Sequence, residues 1–167
     1  GIKVAGNWWN PKTSFGKDVL NGKITKMEQV FSDPKAVLES EIIDKLVINL
    51  DNALLNIGQS KGKFGGGKRS IWKQTQKKTK EGNKTKFATY VVVGNRDGYI
   101  GIGYGKAKET MPARGKAMEH AKISLISIKR GCGSWACGCK EPHTIPFAVV
   151  GKCGSVKVLL KPAPKGT

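Results

Sequence analysis

Between Phe87 and Glu109 the chain reads FATYVVVGNRDGYIGIGYGKAKE, and in it Gly101, Gly103 and Gly105 fall at every second position. Side chains alternate across a strand, so a strand over Tyr99–Tyr104 has one face without side chains. A bare face costs packing and suits a place where another backbone or a ligand comes close. The run Phe87–Val93 reads as the preceding strand, and Gly94-Asn95-Arg96-Asp97-Gly98 as the turn between them, since Gly, Asn and Asp tolerate the backbone angles of a tight reversal. Gly105-Lys106-Ala107-Lys108 then leads into a helical pattern.

Charge limits what such a hairpin can meet. The 167 residues carry 30 Lys+Arg against 12 Asp+Glu, a formal net charge of +18. A field of that size repels itself unless a polyanion neutralises it, and nucleic acid is the commonest such partner. A membrane surface fits less well. The sequence has no basic amphipathic helix of the lipid-lying kind and no apolar run near ~18 residues. No signal-peptide pattern follows Gly1, so a cytoplasmic location and no membrane partner are expected.

The charge is unevenly placed. Residues 1–27, with Trp8, Trp9, Phe15, Val19, Leu20, Ile24 and Met27, read as an irregular arm that either drapes over a partner or packs on its own domain. Over 34–57, Pro34 and the spacing of Val37, Leu38, Ile42, Leu46, Ile48 and Leu50 predict two short helices, with Ser32 or Asp33 as cap. From Glu28 to Asp51, Glu28, Asp33, Glu39, Glu41, Asp44 and Asp51 against only Lys35 and Lys45 make an acidic island, expected to face solvent or a protein neighbour. From Lys61 to Lys86 the balance reverses. Lys61, Lys63, Lys68, Arg69, Lys73, Lys77, Lys78, Lys80, Lys84 and Lys86 face one acid, Glu81. Gly65-Gly66-Gly67 marks a joint, Ile71–Thr79 a strand and Glu81-Gly82-Asn83 a turn. A hairpin so one-sided predicts phosphate binding that weakens steeply with salt.

Residues 110–128 predict a helix with Thr110 as cap and Pro112 in the first turn. Met111, Met118, Ala121, Leu125 and Ile128 form the expected core stripe against Val91 and Val93, with Arg114, Lys116 and Lys122 off it. The helix start beside Lys106 and Lys108 is an expected phosphate seat. Cys132, Cys137, Cys139 and His143 follow as C-x4-C-x-C-x3-H, with Cys153 further on. A structural zinc site needs four such ligands. Cys132, Cys137 and Cys139 with His143 or Cys153 could supply them; reduced, partly buried thiols are the other reading, and no cofactor is assigned. Thr144–Val150 and Ser155–Lys161 predict two last strands.

The run VVVGNRDGYIGIGYGKAKE resembles the signature hairpin of the small-subunit ribosomal protein family S-five. Glu39-Ser40-Glu41-Ile42-Ile43-Asp44 is similar to an extension of its archaeal and eukaryotic members, and PHTIPFAVVGKCGSVKVLLKPAPKGT to the start of its second domain. Asn83 departs from the family pattern, which prefers a basic residue or Gln there. The resemblance implies an α+β fold. A helical N-terminal extension (1–68) would precede a double-stranded-RNA-binding-like β-β-β-α domain (69–130), then a linker and the first strands of a truncated second α+β domain (131–167).

It further implies a structural constituent of the small ribosomal subunit. Its partners would be small-subunit rRNA near the decoding and mRNA-entry side, neighbouring ribosomal proteins and, near the entry side, mRNA. The residues expected to meet RNA are Lys68, Arg69, Lys73, Lys77, Lys78, Lys80, Lys84, Lys86, Arg96, Gly101, Gly103, Gly105, Lys106, Lys108 and Arg114. A free RNA chaperone or rRNA-processing factor of the same fold is the alternative. Enzymatic readings fail on detail. The glycine run lacks the Gly-x4-Gly-Lys-Ser/Thr order of a phosphate loop, since Ile100 and Ala107 stand at the required positions. It also lies in hairpins rather than a βαβ unit. His120, in a lysine-bearing helix, is expected at the surface, and His143, after Pro142 in the linker, in a packing or RNA contact ahead of a zinc role; no catalytic residue is assigned.

Overall fold

The computed structural model describes residues 9–32, 37–58, 69–133 and 135–166. Three short helices, α1 (Ser14–Leu20), α2 (Met27–Ser32) and α3 (Ser40–Leu46), precede β1 (Asp51–Leu54). Then come β2 (Lys73–Thr79), β3 (Gly82–Gly94), β4 (Tyr99–Ala107), α4 (Thr110–Ile123) and β5 (Ile126–Ser127). The strands β6 (Val149–Cys153) and β7 (Val156–Leu160) close the order. The architecture is mixed α+β, with an antiparallel sheet at its centre. The chain divides into two compact units, Gly1–Ile126 and Ser127–Thr167.

Strand β3 is long enough to hold two neighbours on one edge. Its first half pairs with β2 from Lys73↔Ala88 to Thr79↔Gly82, and its second half with β1 from Leu54↔Val91 to Asp51↔Gly94. Its other edge pairs with β4, Val91 opposite Gly103. Two corrections follow. The β2–β3 turn is Lys80-Glu81, one residue earlier than expected, with Gly82 at φ 119°. Residues Asp51–Leu54 form a strand where a second short helix was expected. Asp, Asn and Ala are poor strand formers, so an unpaired edge of β3 decides their conformation.

The arm is no loose strap. Its described part forms α1 and α2, which pack on α3 in a cluster holding Trp9, Phe15, Val19, Met27, Val30, Ile42, Ile43, Val47 and Leu125. Val19, Ile42 and Ile43 are almost fully buried, each worth about 1.5–3 kcal/mol of hydrophobic stabilisation. Thr13 caps α1 by accepting from the Gly16 N–H at 3.0 Å. Helices of 7, 6 and 7 residues are too short to stand alone. Tertiary contact holds them. The boundary expected at 68/69 is therefore not one of packing, because this extension and the sheet belong to one compact unit. Ser32 is the last residue of α2 rather than a cap for α3, whose N-cap is Glu39; Asp33 and Pro34 lie outside the described residues.

The acidic island is also spent partly inside the fold. Glu39 accepts from Trp9 Nε1 at 2.7 Å and from the backbone N–H groups of Thr13 (2.7 Å) and Lys12 (3.1 Å). Burial pushes its carboxyl upward, but the hydrogen bonds from Thr13, Trp9 and Lys12 outweigh it and hold the group below the ordinary glutamate value. Asp44 pairs with Lys122 of α4 at 2.7 Å.

Helix α4 closes the sheet by a stripe that keeps Ala121 of the expected one, with Met118 packed beside it and Leu125 buried just past the helix end, and adds Ala113 and Ala117. Ala113, Ala117 and Ala121 are fully buried, while Met111 is 70% exposed and Ile128 lies past the helix end. Glu109, not Thr110, is the N-cap, and it makes no side-chain cap hydrogen bond. The reason for the small stripe is the glycine strand. A Cβ built on Gly101, Gly103 or Gly105 would overlap the backbone of Ala121, Ala117 or Ala113 respectively. Larger residues on the inner face of α4 would lift it off the sheet.

Candidate nucleic-acid interface

The same pairing that buries the glycines exposes their neighbours. Residues paired across an antiparallel ladder share a face. Val91, Val93, Gly101, Gly103 and Gly105 lie under α4; Tyr90, Ile100, Ile102, Tyr104 and Lys106 lie on the opposite face. There Tyr90 and Tyr104, directly opposed, bring their rings to 4.9 Å at 47°. Tyr104 is 42% and Ile102 54% exposed. Their ring faces and edges are offered outward beside cations.

Those cations come from the β2–β3 hairpin. Lys73, Lys77, Lys84 and Lys86 fall on the face of Tyr90, in register with it along β3. Lys73 and Lys106 flank Ala88 from its two sides. Lys77 and Lys84 are direct cross-strand partners. Like charges set opposite each other destabilise a sheet unless an anion lies between them. Glu81 offsets one of them, 3.1 Å from Lys84 in an exposed pair, which contributes little to stability in water.

The other expected contacts sort differently. Lys78 pairs with Asn83 and points to the opposite face from Lys77. Lys80 sits in the turn, and Arg69 and Lys108 are exposed. Arg96 stands at the tip of the β3–β4 turn with φ 57° and pairs with Asp51 at 2.7 Å. That tip is built by Asn95, whose Oδ1 accepts from the N–H groups of Asp97 (2.9 Å) and Tyr99 (3.0 Å). Arg114 donates to Asn52 Oδ1 at 3.1 Å, and its buried Nε has no hydrogen-bond partner among the described residues, so it ties α4 to β1. Lys68 lies outside the described residues.

Gly101, Gly103 and Gly105 require the main correction. They were expected to let RNA approach; α4 fills that face instead. The signal for the true outer face was present, because Ile100, Ile102 and Tyr104 alternate with the glycines. In this alternation the empty side packs inward and the full side faces out.

A second cluster lies in the unit Ser127–Thr167. Cys137 Sγ is 3.3 Å from Cys139 Sγ and 3.6 Å from His143 Nε2, and Cys139 Sγ is 3.6 Å from Cys132 Sγ. All four ligand atoms lie within 4.8 Å of one another. Cys153, the other candidate, is exposed on β6 and outside this group. The Cys137 thiol is pulled down to about 6, first by a backbone hydrogen bond with Lys165 and then by one with Cys139. Cys139 shifts the other way. The backbone hydrogen bond at Glu141 draws it down, but the thiol of Cys137, partial burial and Cys132 together hold it above the usual thiol value.

No helix among the described residues is long and apolar enough to cross a membrane. A family model described as Ribosomal protein S5, N-terminal domain, matches residues 71–129, from just before β2 to just past β5. The chain is 45% identical over 158 residues to the small ribosomal subunit protein uS5 of Nanoarchaeum equitans, covering 95% of this chain and 68% of that protein. It is 44% identical over 165 residues to the uS5 protein of Staphylothermus marinus, covering 99% and 70%. The chain belongs to the uS5 family of small ribosomal subunit proteins, in its archaeal type. That family is structural, not enzymatic.

Proposed function

We propose that this chain is a structural constituent of the small ribosomal subunit in the cytoplasm and binds small-subunit rRNA through the outer face of its sheet. The β2–β3–β4–α4 core acts as a double-stranded-RNA-binding-like unit in this reading. It sits near the decoding and mRNA-entry side, beside neighbouring ribosomal proteins and close to mRNA on the entry side. The observation that carries the proposal is the opposed pair Lys77 and Lys84, with Lys73, Lys86 and Lys106 on the same face. Such a row costs the free fold stability and is stabilised by a phosphate ridge.

Lysines of this kind neutralise phosphates and position the protein without reading sequence. Tyr104 and Tyr90 give an unpaired base or a ribose a surface to stack on. Arg69, Lys78, Lys80, Lys108 and, when released from Asp51, Arg96 extend the contact. The test has two arms. In a cell lysate sedimented at moderate salt, the protein should travel stoichiometrically with small subunits; a free or substoichiometric pool favours a chaperone instead. In binding to small-subunit rRNA, replacing Lys73, Lys77, Lys84 and Lys86 together by Ala should flatten the salt dependence, and an unchanged slope would remove the outer face from the proposal.

A further inference from the structure

We propose that Cys132, Cys137, Cys139 and His143 form a structural zinc site that holds the segment between β5 and β6 in shape. Tetrahedral zinc with Zn–S near 2.3 Å and Zn–N near 2.0–2.1 Å sets its donors about 3.7 Å apart between sulfurs and about 3.6 Å between sulfur and nitrogen. The separations here are 3.3 Å for Cys137–Cys139, 3.6 Å for Cys132–Cys139 and 3.6 Å for Cys137–His143. Three thiols and an imidazole converging at those distances, in C-x4-C-x-C-x3-H order, suit a borderline-soft divalent cation.

The backbone around the cluster is arranged to close it. Gly131 and Thr144, the residues just outside the first and last ligands, exchange both backbone hydrogen bonds, at 2.7 and 3.0 Å. The ligand loop is thereby pinched at its neck. Gly133 lies against the Pro146 backbone so closely that a Cβ there would overlap it. Lys140 adopts φ 56°, turning the chain after the third ligand. Backbone hydrogen bonds reach Cys137 from Lys165 and Cys139 from Glu141, the kind of outer support that orients thiolate ligands. With Nε2 facing the cluster, His143 would carry its proton on Nδ1.

Four protein ligands leave no open position, so the metal's role is structural and not catalytic.

The whole chain, purified with reductant and without chelator, should contain about one zinc per molecule by elemental analysis. Replacing the metal with cobalt should give the visible bands of tetrahedral cobalt and a thiolate-to-cobalt charge-transfer absorption. Cys139→Ser should lose at least nine-tenths of the bound metal, while Cys153→Ser keeps it. If Cys139→Ser does not fold, cobalt titration of the unaltered chain decides the matter alone. Absence of stoichiometric metal together with no tetrahedral thiolate spectrum on adding cobalt would overturn the proposal. So would equal metal loss in Cys153→Ser.

Discussion

The β3–β4 ribbon is packed on one face and open on the other, although the two strands are the same. Under α4 the residues are Val91, Val93, Gly101, Gly103 and Gly105, all close to fully buried. On the outer face Tyr90, Ile100, Ile102 and Tyr104 remain at least a third exposed, with Lys106 and the lysines of β2 and early β3 around them. The inner face removes side chains so that helix backbone can approach strand backbone. The outer face keeps large and charged side chains that nothing among the described residues covers. The difference separates residues needed for the fold from residues available to a partner, and the glycine signature belongs to the first group.

Four variants probe that contrast. The largest effect is expected for Gly103→Val. A Cβ at this position lies 2.9 Å from Ala121 Cα and closer still to Ala117 O and Ala121 N, and backbone cannot yield as a side-chain tip can. Denaturant unfolding should show a loss of more than about 3 kcal/mol. An unchanged midpoint would break the comparison from the inner side.

Next comes the joint replacement of Lys73, Lys77, Lys84 and Lys86 by Ala. Each neutralised phosphate contributes roughly 0.7–0.9 to the slope of log affinity against log salt, so the slope should fall by about 3. Thermal unfolding should be unmoved or slightly raised, because the Lys77–Lys84 repulsion is gone. A large drop in melting temperature with an unaltered slope would make the outer face structural. Tyr104→Ala should cost about 1 kcal/mol or more of RNA affinity through lost stacking, while unfolding changes by about 1 kcal/mol or less from the lost Tyr90 contact. Comparing RNA titration and melting of the same variant checks both halves.

The smallest effect, and the opposite sign, is expected for Gly115→Ala. Gly115 is on α4 like the inner-face alanines, yet a Cβ there meets nothing within 4 Å. The change should stabilise by somewhat under 1 kcal/mol, read as a raised denaturation midpoint. Destabilisation would mean that this side of α4 is also covered.

Much of this was legible in the chain itself. Strands β3 and β4 and the Asn95 turn follow from β-branched residues, alternating glycines and Asn/Asp/Gly chemistry, all local signals. The lysine density of 61–86 was plain, and so was the acidic island before it. Which lysines share a face was not legible, because Lys77 and Lys78 separate only once the β2–β3 register is set. Helix α3 falls within the helical spacing read over 34–57, whereas α1 and α2 carried too little periodicity to be read, and the three are stabilised by one another. The cysteine spacing left open whether His143 or Cys153 would complete a metal set, or whether the thiols would stay reduced and unliganded. The fold chose His143, bringing it to 3.6 Å from Cys137 while Cys153 went to an exposed strand.

The sequence alone determined that this is a strongly basic chain with a glycine-alternating hairpin followed by a helix, because charge and strand period are properties of neighbours along the backbone. The tertiary structure decided what covers the glycines, which side chains are left for a partner and which four ligands meet. Those outcomes depend on register and on the approach of α4 to the sheet, where residues far apart in the chain compete for the same space.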